Sequence, residues 1–246
     1  MFVDKVGLAK REQLIDLQLL EWCVRQDLNE RANRYMAVLD PVKLTITNWE
    51  EGKVEWFDAP LNPADPEGPS RKVPFTGELL IDGADFMEDA PKKYFRLKPG
   101  GEVRLKYTYI IRCDEVVKDA EGKVVELRCS YDPSTRPGAG EWRSVKGTIH
   151  WVSSDYAKPV ELRLYDRLFN VENPAAEPDR DFREMLNPDS LKVVTGVKVE
   201  PFVAKTARQG TKFQFQRIGY FTPDYQSDAN HLIFNRTIQL KDTWEK

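Results

Sequence analysis

Between residues 8 and 31 apolar side chains recur at spacings of three and four, Leu14, Leu17, Leu20, Val24 and Leu28, which places them on one stripe of a helix. The helical pattern stops near Asn29. Beyond it Val42, Leu44 and Ile46 alternate with Lys43, Thr45 and Thr47, the period of a half-buried strand. The same texture predicts strands at 53–57, 73–81, 102–114, 123–130, 145–153, 159–166, 191–199, 212–221 and 232–240, punctuated by Gly, Pro, Asp and Asn. Such a chain builds a β-barrel or a β-sandwich. Its clearest hairpin is Val116–Val125, turning at a short loop that contains Gly122. The irregular stretches 58–72 and 170–190 read as domain crossovers or functional loops, and no internal repeat stands out.

With 246 residues, 41% of them apolar, the chain fills the core of one large domain or two small ones. No run approaches the roughly 18 apolar residues of a membrane helix, and the opening Met1-Phe-Val-Asp-Lys-Val-Gly lacks the core of a secretory signal. A cytoplasmic location is expected. The net charge of −3 argues against an indiscriminately basic coat for nucleic acid, but charge is unevenly spread. Residues 92–109 have a balance of +5, and 205–217 add Lys205, Arg208, Lys212 and Arg217 with no acid, whereas 172–190 is acidic. A basic patch on an acidic body confines RNA to one surface.

Cys23, Cys113 and Cys129 have no metal-ligand spacing, and His150 and His231 are remote from them in sequence. Cys113 and Cys129 flank Glu121 symmetrically and are expected opposite one another on two strands, as buried free thiols. His150, among apolar neighbours, reads as a core or barrel-mouth histidine rather than a catalytic one, and His231 as a loop residue. No phosphate-binding glycine loop, nucleophile elbow or zinc helix motif occurs, so acid–base or nucleophilic chemistry by this chain is not expected.

The stretch Lys92–Tyr109 is the main candidate for chemistry. Lys92, Lys93, Arg96, Lys98, Arg104 and Lys106 face the single acid Glu102, with Tyr94, Phe95, Tyr107 and Tyr109 between them. Cations compensate phosphate charge, while aromatic and guanidinium planes stack on unpaired bases, so the stretch suits single-stranded RNA. A β-hairpin with a solvated basic edge has the same composition, because edge lysines discourage aggregation. In Phe213-Gln-Phe-Gln-Arg217 the spacing assigns Phe213 and Phe215 to the core and leaves Gln214, with Arg217, to meet a base edge.

Val145-Lys-Gly-Thr-Ile-His-Trp-Val-Ser153, followed by Pro159-Val-Glu-Leu-Arg-Leu-Tyr-Asp-Arg-Leu-Phe169, closely resembles the glutaminyl-tRNA synthetase family. The resemblance extends through Arg25-Gln-Asp-Leu-Asn-Glu30, Met36-Ala-Val-Leu-Asp-Pro-Val-Lys-Leu44, Phe213-Gln-Phe-Gln-Arg-Ile-Gly-Tyr-Phe221 and Phe234-Asn-Arg-Thr-Ile-Gln-Leu-Lys-Asp-Thr-Trp244, and so covers nearly the whole chain. It implies a mainly β fold of two antiparallel barrels, of the type shared with ribosomal 5S RNA binders, after a short helical segment. The expected divisions are a helical subdomain remnant at 1–33, a proximal barrel at 34–96 and 188–246, and a distal barrel at 97–187.

The family's HIGH-type and KMSKS-type motifs are not in this sequence, so the resemblance implies the C-terminal, anticodon-binding part of a ligase. A fragment is expected rather than a complete enzyme, with a natural stand-alone homologue as the other possibility; no aminoacylation by this chain alone is expected. ATP and Mg²⁺ belong to the catalytic N-terminal domain of the parent enzyme and no cofactor to this chain. The implied partners are that domain and the anticodon loop of glutamine tRNAs, with no DNA and no membrane.

Residue by residue, Arg34 and Gln214 match positions at the central uridine, Arg96 and Arg217 at the third-base guanosine, and Arg104 at the wobble base. Asn29, Lys93 and Thr243 align with further anticodon-loop contacts. Phe95 stands where the family commonly has Lys, so a phosphate contact there is lost or replaced by stacking. Other readings are the equivalent region of an archaeal or eukaryotic-type glutamyl enzyme, a stand-alone structural RNA binder, and a sugar-binding sandwich or hydrolase if the resemblance were accidental.

Overall fold

A computed structural model describes residues 1–11, 15–139 and 143–241. The predicted helix over 8–31 begins later, at Leu17, and runs to Arg31. Asp16 stops its N-terminal extension by turning extended and accepting a hydrogen bond from the Gln18 amide, a side-chain cap. A separate short helix, Phe2–Val6, ends at Gly7 with φ 74. The expected apolar stripe is only half used. Leu28 is buried and packs with Val24, Ala32, Tyr220 and Ile238, whereas Leu17 and Leu20 remain exposed. Leu14 lies outside the described residues.

The alternating segments form strands, several of them broken where the sequence pattern runs on. The segment at 73–81 divides into Ser70–Phe75 and Glu78–Asp82 around Gly77. The one at 102–114 divides into Glu102–Leu105 and Ile110–Lys118, because Tyr107 takes φ 68 and the Thr108 amide closes a turn on the Leu105 carbonyl at 2.9 Å. The segments at 145–153 and 212–221 likewise become Thr148–Ile149 with Val152–Ser153, and Phe213–Phe215 with Gly219–Pro223. The hairpin predicted at Val116–Val125 is present, joining Ile110–Lys118 to Val124–Asp132 with Gly122 at φ 82. In its register Cys113 is the partner of Cys129, and both are buried free thiols.

One seven-stranded sheet runs in the order Thr148–Ile149, Glu102–Leu105, Ile110–Lys118, Val124–Asp132, Pro41–Ile46, Glu78–Asp82, Val152–Ser153. Its two outermost strands are separated in the chain by His150 and Trp151 alone. Six inter-strand steps span roughly 29 Å in a flat sheet, whereas the link from Ile149 to Val152 reaches at most about 11 Å. The sheet therefore closes on itself as a barrel. Trp151, Phe75, Leu79 and Leu105 fill it, and the hairpin of Glu55–Pro60 with Ser70–Phe75 adds Phe57 and Val73 to the same core. The second seven-stranded sheet runs Asn33–Tyr35, Phe213–Phe215, Gly219–Pro223, Leu232–Ile238, Lys158–Tyr165, Leu191–Val199, Ala37–Val38. Its outer strands are separated by Met36 alone, and it too curls. The fold is mainly β, as expected.

The chain divides into two compact units: Arg34–Val160 with Gly196–Ala207, and Met1–Asn33 with Glu161–Thr195 and Arg208–Lys246. Within the first unit the Arg71 guanidinium is fully buried against Glu200, Nε to Oε2 at 2.5 Å and Nη2 to Oε1 at 2.6 Å. Glu200 also accepts from the Met36 amide, and Arg71 donates to the carbonyls of Ala59 and Pro60. Among the described residues no helix is long and apolar enough to cross a membrane.

Candidate nucleic-acid interface

In the unit containing Arg34–Val160, the basic stretch is a loop tied at its base. The Leu97 amide donates to the Asp85 carbonyl at 3.0 Å and the Met87 amide to the Leu97 carbonyl at 3.1 Å, with Leu97 fully buried beneath. Lys92, Lys93, Phe95 and Arg96 stand exposed on the loop. Arg96 is held from behind: Nη1 donates to the Ala84 carbonyl at 2.8 Å, and Nε lies 3.3 Å from Oδ1 of Asp85, a buried carboxylate. Despite these contacts the Arg96 side chain is 42% exposed.

Phe95 is half exposed, and the Lys146 ammonium lies 5.4 Å from its ring centroid, within cation–π range. The backbone beneath the ring is fixed by Gly147, where a Cβ would stand 2.2 Å from the Phe95 carbonyl oxygen. No other residue type fits there without moving the loop.

Arg104 has a different setting. It is buried, and Nη1 donates to the carbonyls of Thr108 (2.7 Å) and Thr135 (3.1 Å) while Nη2 donates to that of Arg143 (3.0 Å). Burial, then the neighbouring Arg143 charge, push its pKa below the usual arginine range. Arg143 in turn pairs with Glu102 at 2.6 Å and Asp132 at 3.0 Å. Arg34 is half-buried, with its backbone amide on the Leu61 carbonyl.

In the other unit, Phe213 and Phe215 are core residues as the alternation predicts, packed against Phe221 and Phe234. Gln214 between them is buried opposite Tyr220, and Arg217 sits exposed in the following turn with φ 70. Asn29, near the helix end, accepts from the Tyr220 hydroxyl at 3.3 Å. Gln216 was not anticipated. It is 7% exposed, and its Oε1 has no hydrogen-bond partner among the described residues. A buried carbonyl oxygen without a donor costs about 1–3 kcal/mol, which a ligand donor would recover. The repeated Phe-Gln pattern of 213–216 carried the signal that could have found it.

The basic run 205–217 is split by the fold: Lys205 lies on the helix Pro201–Thr206 of one unit, while in the other Lys212 is 4.0 Å from Asp27 and Arg217 is at the turn. Thr243 lies outside the described residues. His150 is buried, and His231 is an exposed loop residue 3.4 Å from Glu161. Among the described residues no three His, Cys, Asp or Glu side chains converge to hold a metal.

Residues 32–132 match the family described as tRNA synthetases class I (E and Q), anti-codon binding domain, and residues 148–224 match a second family model of the same description. Across its whole length the chain is 53% identical to the Glutamine--tRNA ligase of Rhodopirellula baltica, 51% to that of Vibrio parahaemolyticus and 48% to that of Nitrosomonas europaea. It spans 41% of the first relative's length and 44% of each of the others, less than half in every case. With both matched regions in order along barrel-forming sequence, the chain belongs to the anticodon-binding domains of the class I tRNA synthetases for glutamate and glutamine.

Proposed function

We propose that this chain grips the anticodon loop of a glutamine tRNA as the recognition part of a longer, cytoplasmic ligase. In that enzyme a catalytic domain outside this sequence handles ATP, Mg²⁺ and glutamine. The setting of Arg96 is the observation that carries the reading. A guanidinium has five N–H donors; Asp85 engages Nε and Ala84 one hydrogen of Nη1. The outer edge, formed by Nη1 and Nη2, keeps the fork that pairs with O6 and N7 of guanine. Rear anchoring fixes the fork's direction before RNA arrives, so little ordering entropy is lost on binding.

Arg96, with Arg217, is assigned to the third anticodon base, and Gln214, with Arg34, to the central uridine. A glutamine amide accepts from uracil N3–H and donates to O4. Gln216 joins this set as a further acceptor. Lys93, Asn29 and Thr243 serve the loop backbone. Arg104 has its guanidinium engaged by three carbonyls, so its proposed contribution at the wobble base is to hold the pocket wall rather than to read the base directly.

Binding to anticodon stem-loops varied at one base tests these assignments. Arg96→Ala is expected to erase about 1–3 kcal/mol of preference for guanosine over cytidine at the third position, and Gln214→Ala a similar amount for uridine at the centre. Unchanged preferences in both variants overturn the assignment. A wild-type preference for third-position cytidine assigns the chain to glutamate tRNA instead.

A further inference from the structure

The unit made of Met1–Asn33, Glu161–Thr195 and Arg208–Lys246 contains a pocket of about 320 Å³ that the anticodon assignments do not use. It lies between the helix Leu17–Arg31, the segment Tyr165–Leu168 and the end of the strand Leu232–Ile238. Four cations, Arg25, Arg167, Arg236 and Lys241, line it against two acids, Glu21 and Asp166. Arg167 engages both acids, with Nη2 3.4 Å from Glu21 and Nη1 3.4 Å from Asp166. That leaves the opposite side of the pocket positive. Arg25 is tethered through Nε to the Gln239 carbonyl, and Arg236 through Nη2 to the Tyr165 carbonyl, a neutral partner that orients the Arg236 guanidinium without cancelling its charge.

Arg236 is half-buried, and no carboxylate among the described residues comes within 4.0 Å of it. Burial disfavours its charged form, an effect that the nearby Asp166 only partly opposes. A cation withdrawn from water without a paired anion is costly unless an anionic ligand completes it. The surroundings hold it in place. A Cβ at Gly219 would stand 3.3 Å from Arg236 Cδ and 2.9 Å from the Ile238 carbonyl oxygen, so the glycine makes room for the arginine stem. The facing segment is pinned by the Asp166 amide on the Ser190 carbonyl at 2.8 Å and by Asn187 Nδ2 on the Arg167 carbonyl at 2.9 Å.

We propose that this pocket is a phosphate-binding site, with Arg236 and Lys241 as its donors. Planar guanidinium forks match phosphate oxygens, and a lysine adds a mobile point charge. The shared chemistry is a phosphate oxyanion, which can come from a backbone phosphodiester of bound RNA or from a free phosphate ester. The RNA source rests on the function proposed above; phosphate binding itself does not.

Inorganic phosphate titrated against chloride at matched ionic strength, with backbone amide shifts followed by NMR, gives the first arm. Saturable shifts are expected at Tyr165–Leu168 and Thr237–Lys241, weakened roughly tenfold or more by Arg236→Gln. Lys241→Gln, at an exposed position, is expected to weaken them too and protects against misfolding of the first variant. Shifts absent in the wild type, or surviving both substitutions, overturn the proposal. In the second arm, a backbone phosphodiester predicts that Arg236→Gln lowers affinity for a tRNA transcript equally whatever its anticodon bases, and reduces the slope of log K against log salt by about one. Phosphate binding with unchanged tRNA affinity assigns the pocket to a free phosphate ester. The base preferences governed by Arg96 are read separately, so a failure of the anticodon assignment is distinguishable from a failure here.

Discussion

Arg217 occupies the left-handed region with φ 70, and Tyr107 does the same with φ 68; they are the two such non-glycine residues among those described. A side chain with a Cβ holds that conformation at a cost of about 1 kcal/mol or more. Glycine adopts the same backbone freely, so the left-handed conformation itself does not call for arginine. Arg217→Gly is therefore expected to leave stability unchanged or raise it by up to about 1 kcal/mol, while anticodon stem-loop affinity falls several-fold. Denaturant midpoints and stem-loop binding measured on one preparation check both halves; full affinity in the variant would remove Arg217 from the interface. At this scale the sequence revealed residue types but not their commitments. Arg96 and Arg104 stand eight positions apart in one basic stretch, yet Arg104 is claimed by the carbonyls of Thr135 and Arg143, brought to it from 31 and 39 residues away. Phe213 and Phe215 were legible because alternation alone decides which face they take.

At the scale of elements, periodicity located nearly every strand and the hairpin register that sets Cys113 against Cys129. It missed the breaks at Gly77, Tyr107 and Arg217, because apolar positions resume directly beyond each turn and the pattern runs on while the strand does not. The helix start was misplaced for a related reason. Apolar spacing extends N-terminally past Asp16, but the Asp16 side chain competes for the Gln18 amide and ends the helix there. Most hidden of all was the joint between strand Ser70–Phe75 and helix Pro201–Thr206, since Arg71 and Glu200 lie 129 positions apart. Removing one member of a buried, hydrogen-bonded ion pair strands the other charge. Glu200→Ala is thus expected to cost about 3–5 kcal/mol in unfolding free energy, whereas replacing both Arg71 and Glu200 by apolar residues of similar volume should cost much less. Chemical denaturation of the single and double variants separates the two; a loss below about 1 kcal/mol for Glu200→Ala would contradict the stranded-charge account.

Across the whole molecule, a net charge of −3 coexists with exposed Lys92, Lys93 and Arg96 on one loop. Exposed lysines that meet phosphate contribute through counterion release, not base choice. Lys92→Ala is expected to reduce the salt dependence of RNA binding by about one unit of slope and to leave base preference intact; titrations at several salt concentrations with two different anticodons measure both. The barrel closed by Thr148–Ile149 and Val152–Ser153 has a consequence in time as well as shape. During synthesis its other five strands all leave the ribosome before this pair, and Pro41–Ile46 must wait for a parallel partner that begins at Val124. Until residue 153 is made, the growing sheet has two bare edges, the arrangement most prone to joining another chain. The few residues around His150 and Trp151 then cover both edges together, so this short segment ends the nascent chain's exposure to aggregation.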